Sequence, residues 1–144
     1  MSYSQKKTIA RRFVQEIFNE GKLDDLNKFV TPDIIWHGAE EIRGVEEFKQ
    51  WISEDLSAFP DMQFTVLDEL AEQNKVAIRW TMKATHAKEF IGLPATQKAF
   101  ETKGTDFLHF ENDKIKEAWT IFDGLNPALE LGVVEVVQPA QAKV

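Results

Sequence analysis

The chain has 144 residues, of which 43% are hydrophobic and 28% are charged, and these values are typical of one folded globular domain. Its formal net charge of -7 argues against nucleic-acid binding, which requires a basic surface. The absence of cysteine excludes disulfides and thiolate chemistry. No stretch of the sequence reaches the roughly 20 apolar residues of a membrane span, so we expect a cytoplasmic protein with no membrane partner.

The first part of the chain has the hydrophobic period of helices. Apolar residues recur at helical spacing over 9–18, 23–30 and 45–59, which predicts three helices. A short strand is predicted at 34–37, between the second and third helices.

After Asp61 the period changes to two residues, which indicates strands. A first hairpin with its turn at 72–74 would pair Val66 with Trp80 and Leu70 with Val76. In the same register Asp68 would face the apolar side of the hairpin.

A second hairpin turns at Asn112-Asp113, a residue pair suited to tight turns. A two-residue turn would pair Phe110 with Ile115 and Asp106 with Trp119. The face that carries Asp106 and Trp119 would then also carry Asp123.

Helices that precede an antiparallel sheet predict an α+β fold. We expect a cone-shaped, curved antiparallel sheet with about three N-terminal helices on its concave face. Residues 1–137 would form one domain, 133–137 could extend a sheet edge, and 138–144 would be a flexible tail.

Several segments resemble one known family, the SnoaL-like polyketide cyclases of the nuclear-transport-factor-2-like superfamily. In order, these are Phe59-Pro-Asp61, Val76–Thr81, Thr85-His86, Phe90–Thr96, Lys114–Trp119, Asp123 and Leu131-Gly132. The chain departs from the family pattern at Ala84 and Gln97, where glycine is usual. The resemblance implies the cone-shaped (cystatin-like) fold, an aldol closure without metal or other cofactor, and an aspartate that acts as general acid and base.

Asp123 is the first candidate catalytic residue. By resemblance it matches the acid/base of the cyclases, and apolar neighbours on its strand face would raise its pKa by burial. The alternative is a structural role, in which Asp123 caps the helix that follows Gly124.

His86 and His37 are the next candidates, and the resemblance implies that both lie near the mouth of a cavity. There they would orient the substrate or stabilise an enolate oxygen. The alternative for each is a structural histidine, and because Trp36 precedes His37 in a strand, only one of that pair would face inward.

The predicted binding residues are mostly apolar and aromatic side chains whose alternative role is ordinary core packing. They are Phe59, Trp80, Met82, Phe90, Asp106, Leu108 and Trp119. Asp106 could be a second acid in the pocket or could form a salt bridge with Arg79 or another base. The histidines lack the spacing of a metal site, so no metal is expected.

The sequence therefore predicts an enzyme of the cyclase, isomerase or lyase type that acts on a small apolar or polycyclic carbonyl compound. A non-catalytic protein that binds a small hydrophobic ligand remains open as the alternative. Domains that resemble this one pair through the outer face of the sheet, so a homodimer or higher homo-oligomer is expected.

Overall fold

The structure is a computed structural model, and it describes residues 1–90 and 92–140. Within these ranges the sheet has six strands. They are β1 Val30–His37, β2 Glu41–Arg43, β3 Gln63–Glu72, β4 Lys75–Thr85, β5 Ala99–Glu111 and β6 Lys114–Phe122. The strand order β2-β1-β6-β5-β4-β3 brings the N-terminal strands beside the last one.

The predicted α+β class is confirmed, with one correction to the sheet. β1 pairs in parallel with β6, whereas the sheet was expected to be antiparallel throughout. Parallel neighbours need a long connection, and residues 38–113 provide it. The β1–β6 register shifts between Val30 and Ile35, an interval that contains Pro32, which has no N–H to give to the ladder.

The helical segments come before β3, except for one short C-terminal helix. They are α1 Tyr3–Phe13, a π-helical turn Val14–Asn19, a 3-10 helix Leu23–Lys28, α2 Val45–Ala58 and α3 Leu125–Leu131. The predicted second helix is thus a shorter 3-10 helix, and β1 begins earlier than expected. None of the helices in the described ranges is long and apolar enough to cross a membrane.

The first hairpin follows the predicted register only in part. Val66 pairs with Trp80 as predicted, but Leu67 is an extra residue that forms a β-bulge. Leu70 therefore pairs with Ala77 rather than Val76, and its side chain is 74% exposed.

The second hairpin also contains a bulge, immediately after its turn. Phe110 pairs with Ile115 as predicted, but His109 pairs with Glu117, which leaves Lys116 as the extra residue. Every later pair is displaced by one residue, so Asp106 faces Thr120 instead of Trp119.

The core lies between the concave face of the sheet and the helices. Trp36 from β1 is buried there and stacks on Phe48 of α2, with ring centroids 4.9 Å apart. Residues 133–137, expected to extend a sheet edge, form no strand in the described part of the chain. Of the predicted tail at 138–144, residues 141–144 lie outside the described ranges.

Candidate functional site

Aromatic rings from three parts of the fold meet at one end of the interior. Phe59, which follows α2, has its ring centroid 6.0 Å from His86, 4.9 Å from Phe90 and 5.4 Å from Phe100. We call these four side chains the aromatic end. Two predicted wall residues, Phe59 and Phe90, and one predicted catalytic residue, His86, therefore lie together.

Three further predicted wall residues lie on the concave face. Trp80, Met82 and Leu108 are 5%, 8% and 0% exposed. Gly104 makes room for the Trp80 indole, because a β-carbon at Gly104 would lie only 2.5 Å from that ring. These side chains face inward as predicted, and they pack within the protein's own hydrophobic core.

Asp106 is a buried carboxyl group on the same concave face. It is 7% exposed, and its Oδ1 accepts a hydrogen bond of 3.1 Å from the Trp80 indole N–H. Burial raises the pKa of Asp106 to about 6, against the opposing effect of hydrogen bonds from Thr120 and Trp80. The alternative salt bridge to Arg79 is wrong, because Arg79 pairs with Asp68 at 2.6 Å.

Asp123 lies just beyond β6, at the start of α3. Its Oδ1 accepts the Asn126 backbone N–H at 3.1 Å, and its Oδ2 accepts the Asn126 side-chain amide at 2.6 Å. These hydrogen bonds, with a smaller contribution from the Lys103 charge, hold the pKa of Asp123 below its ordinary value. The predicted rise in this pKa is wrong, because the carboxylate is partly exposed and caps the helix instead of lying in an apolar chamber.

His86 is enclosed at the aromatic end. The residue is only 2% exposed, and its Nδ1 lies 3.2 Å from the Thr96 hydroxyl. Its Nε2 has no hydrogen-bond partner within the described residues. A buried ring nitrogen without a partner is costly, and a ligand that reached it would remove that cost.

His37 and Trp119 lie on the outer face of the sheet, which corrects both predictions. His37 Nε2 is 2.7 Å from Glu117 Oε2, and its ring stacks on Trp119 with centroids 5.0 Å apart. Trp36 is the inward-facing member of the Trp36–His37 pair. The bulge at Lys116 turns Trp119 to the outer face, since a shift of one residue reverses the facing of a strand.

Asp55 on α2 is a site candidate that the sequence analysis missed. It lies three residues after the buried Ile52 and four before the buried Phe59, so it falls on the core-facing stripe of the helix. Burial raises the pKa of Asp55 to about 7, and the negative charge of Glu54 adds to the rise. An acidic residue within a helical apolar stripe was the signal that could have identified it.

Two of the open clefts that the described residues form on the surface contain no predicted site residue. One, of about 630 Å³, is lined by Leu23, Glu46, Glu47, Lys49, Gln50 and Ser53. The other, of about 370 Å³, is lined by Met1, Ser4, Gln5, Thr8, Ile9 and Asp113. In the ranges that the structure describes, no group of three or more His, Asp or Glu side chains could hold a metal ion.

The curved six-stranded sheet with helices on one face defines a nuclear-transport-factor-2-like α+β domain. A family model for SnoaL-like polyketide cyclases matches residues 8–131. The chain therefore belongs to the SnoaL-like polyketide cyclase family, as its motifs predicted.

Individual relatives agree with this membership. Aklanonic acid methyl ester cyclase AcmA from Streptomyces galilaeus is 28% identical over 118 residues, which cover 78% of this chain and 80% of AcmA. AclR, a candidate hydroxylase from the same organism, is 27% identical in sequence to this chain. Its crystal structure superposes with a TM-score of 0.82, and the match covers 93% of this chain and 100% of AclR. IdmH, a candidate polyketide cyclase from Streptomyces antibioticus, is 30% identical with a TM-score of 0.76, covering 89% and 99%.

Proposed function

We propose that this chain catalyses the cofactor-independent aldol cyclisation or isomerisation of an apolar carbonyl compound, with Asp123 as the group that accepts and returns a proton. Family membership supports a reaction of the cyclase class. AcmA is named as a cyclase of aklanonic acid methyl ester, which supports a small carbonyl compound as the ligand.

The observation that carries the proposal is the state of the Asp123 carboxylate. Its hydrogen bonds to Asn126 favour the ionised form, so it is ready to accept a proton at neutral pH. Phe122 and Leu125, one residue before and two after Asp123 in the chain, are 47% and 65% exposed, which provides apolar surface in its vicinity. A carboxylate bordered by apolar surface can serve a carbon acid that docks there.

The proposed reaction is internally balanced. A proton leaves the carbon next to one carbonyl for Asp123, and that carbon bonds to a second carbonyl carbon of the same molecule. The carboxylic acid then returns the proton to the new alkoxide, so substrate and product have the same composition. Because both reacting carbons belong to one molecule, holding them close supplies much of the rate.

The aromatic end supplies the remaining parts of the proposed site. Phe59 and Phe90 would contact the flat face of the ligand, and His86 Nε2 would donate to the enolate oxygen. Trp80, Met82 and Leu108 would support these walls from inside the core. His37 has no part in the proposal, because it lies on the outer face.

Substitution of Asp123 by Asn tests the proposal, with aklanonic acid methyl ester as the first substrate and ring closure followed by chromatography. Asn caps helices as well as Asp, so Asp123→Asn should remain folded. We expect its turnover to fall by about 100-fold or more, because it lacks the proton acceptor. Asp113→Asn, in the exposed hairpin turn, is the matched control and should keep full activity.

Full activity of Asp123→Asn would reject Asp123 as the acid/base and leave it as a helix cap. A second candidate function is then a non-catalytic protein that binds a small hydrophobic ligand. The hydrogen bonds that Asp123 accepts from Asn126 favour that function, because they give the carboxylate a structural role at the start of α3. Ligand binding without turnover in the unaltered protein would select it.

We further propose a homodimer formed through the outer face of the sheet. Phe107, Trp119 and Ile121 are 52%, 36% and 77% exposed there. Sedimentation at micromolar concentration should show a dimer, and Ile121→Asp should give a monomer. Leu70→Asp, which alters an exposed side chain on edge strand β3, should leave the dimer intact. A monomeric unaltered protein would reject this proposal.

A further inference from the structure

Polar side-chain groups form a row across the concave face of the sheet. They lie on the neighbouring strands β1, β6, β5 and β4, and are in that order Trp36, Thr120, Asp106 and Trp80. Thr120 is the partner of Asp106 in the β5–β6 pairing. The Asp106 carboxyl group accepts hydrogen bonds from the Trp80 indole N–H, at 3.1 Å, and from Thr120. We call these four side chains the polar row.

The Trp36 end of the polar row is incomplete. Trp36 is 3% exposed, and its indole N–H has no hydrogen-bond partner among the described residues. Its ring stacks on Phe48 of α2 with centroids 4.9 Å apart, which holds the ring, and with it the N–H, in place. A buried donor without an acceptor destabilises the fold, and an acceptor brought by a ligand would remove that cost.

The unpartnered N–H lies close to Thr120, beside Gly38. A β-carbon on Gly38 would lie 3.6 Å from Trp36 Nε1 and 3.1 Å from the Thr120 methyl carbon, so both side chains border the same point. Gly38 is exposed and Thr120 is half-buried. The N–H therefore lies near the edge of the core, where glycine leaves the adjoining space uncovered by a side chain.

The hydrogen-bonding capacity beside Gly38 matches a hydroxyl group. An indole N–H can only donate, so it requires an acceptor. The Thr120 hydroxyl donates to Asp106, and its oxygen can still accept one further hydrogen bond. A ligand hydroxyl can accept from Trp36 and donate to Thr120 at once, whereas a carbonyl oxygen could fill only the first of these roles.

We propose that Trp36 and Thr120 form a subsite for a hydroxyl group of the ligand, with Asp106 as the positioning residue that orients the Thr120 hydroxyl. The flat carbonyl compound that would carry this hydroxyl rests on the function proposed above. Thr120 precedes Asp123 by three residues, so their Cα atoms are at most about 11 Å apart. One ligand of two or three fused rings can therefore reach from the subsite to Asp123.

The experiment compares two probes of nearly the same shape, 2-naphthol and 2-methylnaphthalene. Only the naphthol can accept and donate hydrogen bonds. Their dissociation constants would be measured by NMR titration of the full chain at about pH 7.5, where a carboxyl group with a pKa of about 6 is mostly ionised. The ratio of the two affinities isolates hydrogen bonding by the hydroxyl group, and no turnover is needed.

The unaltered protein gives a direct measurement, because each of its four tryptophans contributes one indole N–H resonance. Replacing each tryptophan in turn by phenylalanine assigns these resonances. We expect the Trp36 resonance to move further downfield with 2-naphthol than with 2-methylnaphthalene. The reason is that its N–H gains an acceptor only from the naphthol, while the effects of an added aromatic ring are common to both probes.

Substitutions then locate the origin of the affinity ratio. Trp36→Phe should lower the naphthol-to-hydrocarbon ratio about tenfold, because the indole donor is lost. Thr120→Val keeps the shape without the hydroxyl and should lower the ratio about fivefold, whereas Thr120→Ser should keep it within about twofold. Trp51→Phe is the matched control and should leave the ratio unchanged, because Trp51 stacks on the same Phe48 ring but lies outside the polar row.

The outcomes separate the subsite from the proposed function. If both probes bind and neither the ratio nor the Trp36 resonance distinguishes them, the subsite is wrong while the proposed function stands. If neither probe binds, the subsite and the ligand class on which it rests are both rejected. Full turnover of Asp123→Asn would reject the proposed acid/base but would alter neither measurement. If Trp36→Phe is unstable, Thr120→Val decides, because valine is well suited to a strand.

Discussion

The two hairpins of the sheet each contain one bulge, but at different distances from the turn. In β3–β4 the bulge at Leu67 lies several residues before the turn, and the pairing of Val66 with Trp80 beyond it is the predicted one. In β5–β6 the bulge at Lys116 lies beside the turn, so it displaces every pair from Glu117 onward. A bulge near a turn thus decides which face a whole strand presents.

The bulge at Lys116 has a large effect on the candidate site, because β6 ends immediately before Asp123. Thr120 takes the inward position expected for Trp119, and Trp119 joins the outer face. Asp123 leaves the strand on the side of Lys103, whose carbonyl oxygen accepts its backbone N–H at 2.9 Å. Substitutions on the concave and outer faces of the sheet can test this comparison of the two hairpins.

The largest expected effect distinguishes Trp80 from Trp119. Trp80→Ala should lower the free energy of unfolding by about 3–5 kcal/mol, because it empties a buried site between the hairpins. Trp119→Ala should cost only about 1 kcal/mol, since that ring is on the outer face. Urea unfolding at low protein concentration checks both values, and equal costs would contradict the observed register.

The next largest expected effect is the pH dependence that Asp106 gives to the free energy of unfolding. Its folded pKa of about 6 exceeds its ordinary value of 3.8, so the folded state binds the proton more tightly. The contribution of Asp106 to the free energy of unfolding is fully present below about pH 4. It is lost as the pH rises through about 6, and the total loss is about 3 kcal/mol.

Asp106→Asn should remove this decline, because the amide is neutral at every pH and can still accept from Trp80. The measurement is the difference in unfolding free energy between pH 4 and pH 7 for the two proteins. The contribution of Asp55 is common to both proteins and cancels. An identical decline in the variant would show that Asp106 is not the titrating group.

A smaller effect is expected at Gly104, where the two hairpins meet. A β-carbon there would lie 2.5 Å from the Trp80 ring and 2.7 Å from the Ile121 carbonyl oxygen. Gly104→Ala should therefore cost about 1–3 kcal/mol by overpacking. Gly124→Ala is the control, because its β-carbon would meet Phe122 at an ordinary 3.5 Å.

The smallest effect concerns the first hairpin. The bulge at Leu67 places Asp68 opposite Arg79, and both side chains are exposed. Asp68→Ala should cost less than about 0.5 kcal/mol, with the cost reduced further by salt. A clear gain in stability would instead favour the predicted register, in which Asp68 faces the apolar side.

Hydrophobic period and turn residues were sufficient to predict the fold class and most elements, whereas the family was predicted from the resemblance of several motifs. Both hairpins and α2 follow directly from spacing, because local patterns determine them. The parallel pairing of β1 with β6 joins segments distant in the chain, so no local pattern could reveal it.

The face of the sheet on which each strand side chain lies was harder to predict, because a bulge needs no special residue. Leu67 and Lys116 are ordinary strand residues, and nothing in their type marks an extra position. This one cause accounts for the errors at Trp119 and for the predicted partner of Asp106. Asp55 could have been found, since its place on an apolar helical stripe is visible in the sequence.

The stacking of Trp119 on the outer face of the sheet affects its fluorescence. The Trp119 indole lies between His37 and His109, with ring centroids 5.0 Å and 4.6 Å away. Protonated imidazole quenches indole emission, and the other three tryptophans lie on or beside α2 and the concave face. Protonation of His109, whose pKa is lowered by burial, should therefore dim the emission of Trp119, which makes this residue a reporter of whether the outer face of the sheet is covered or open to solvent.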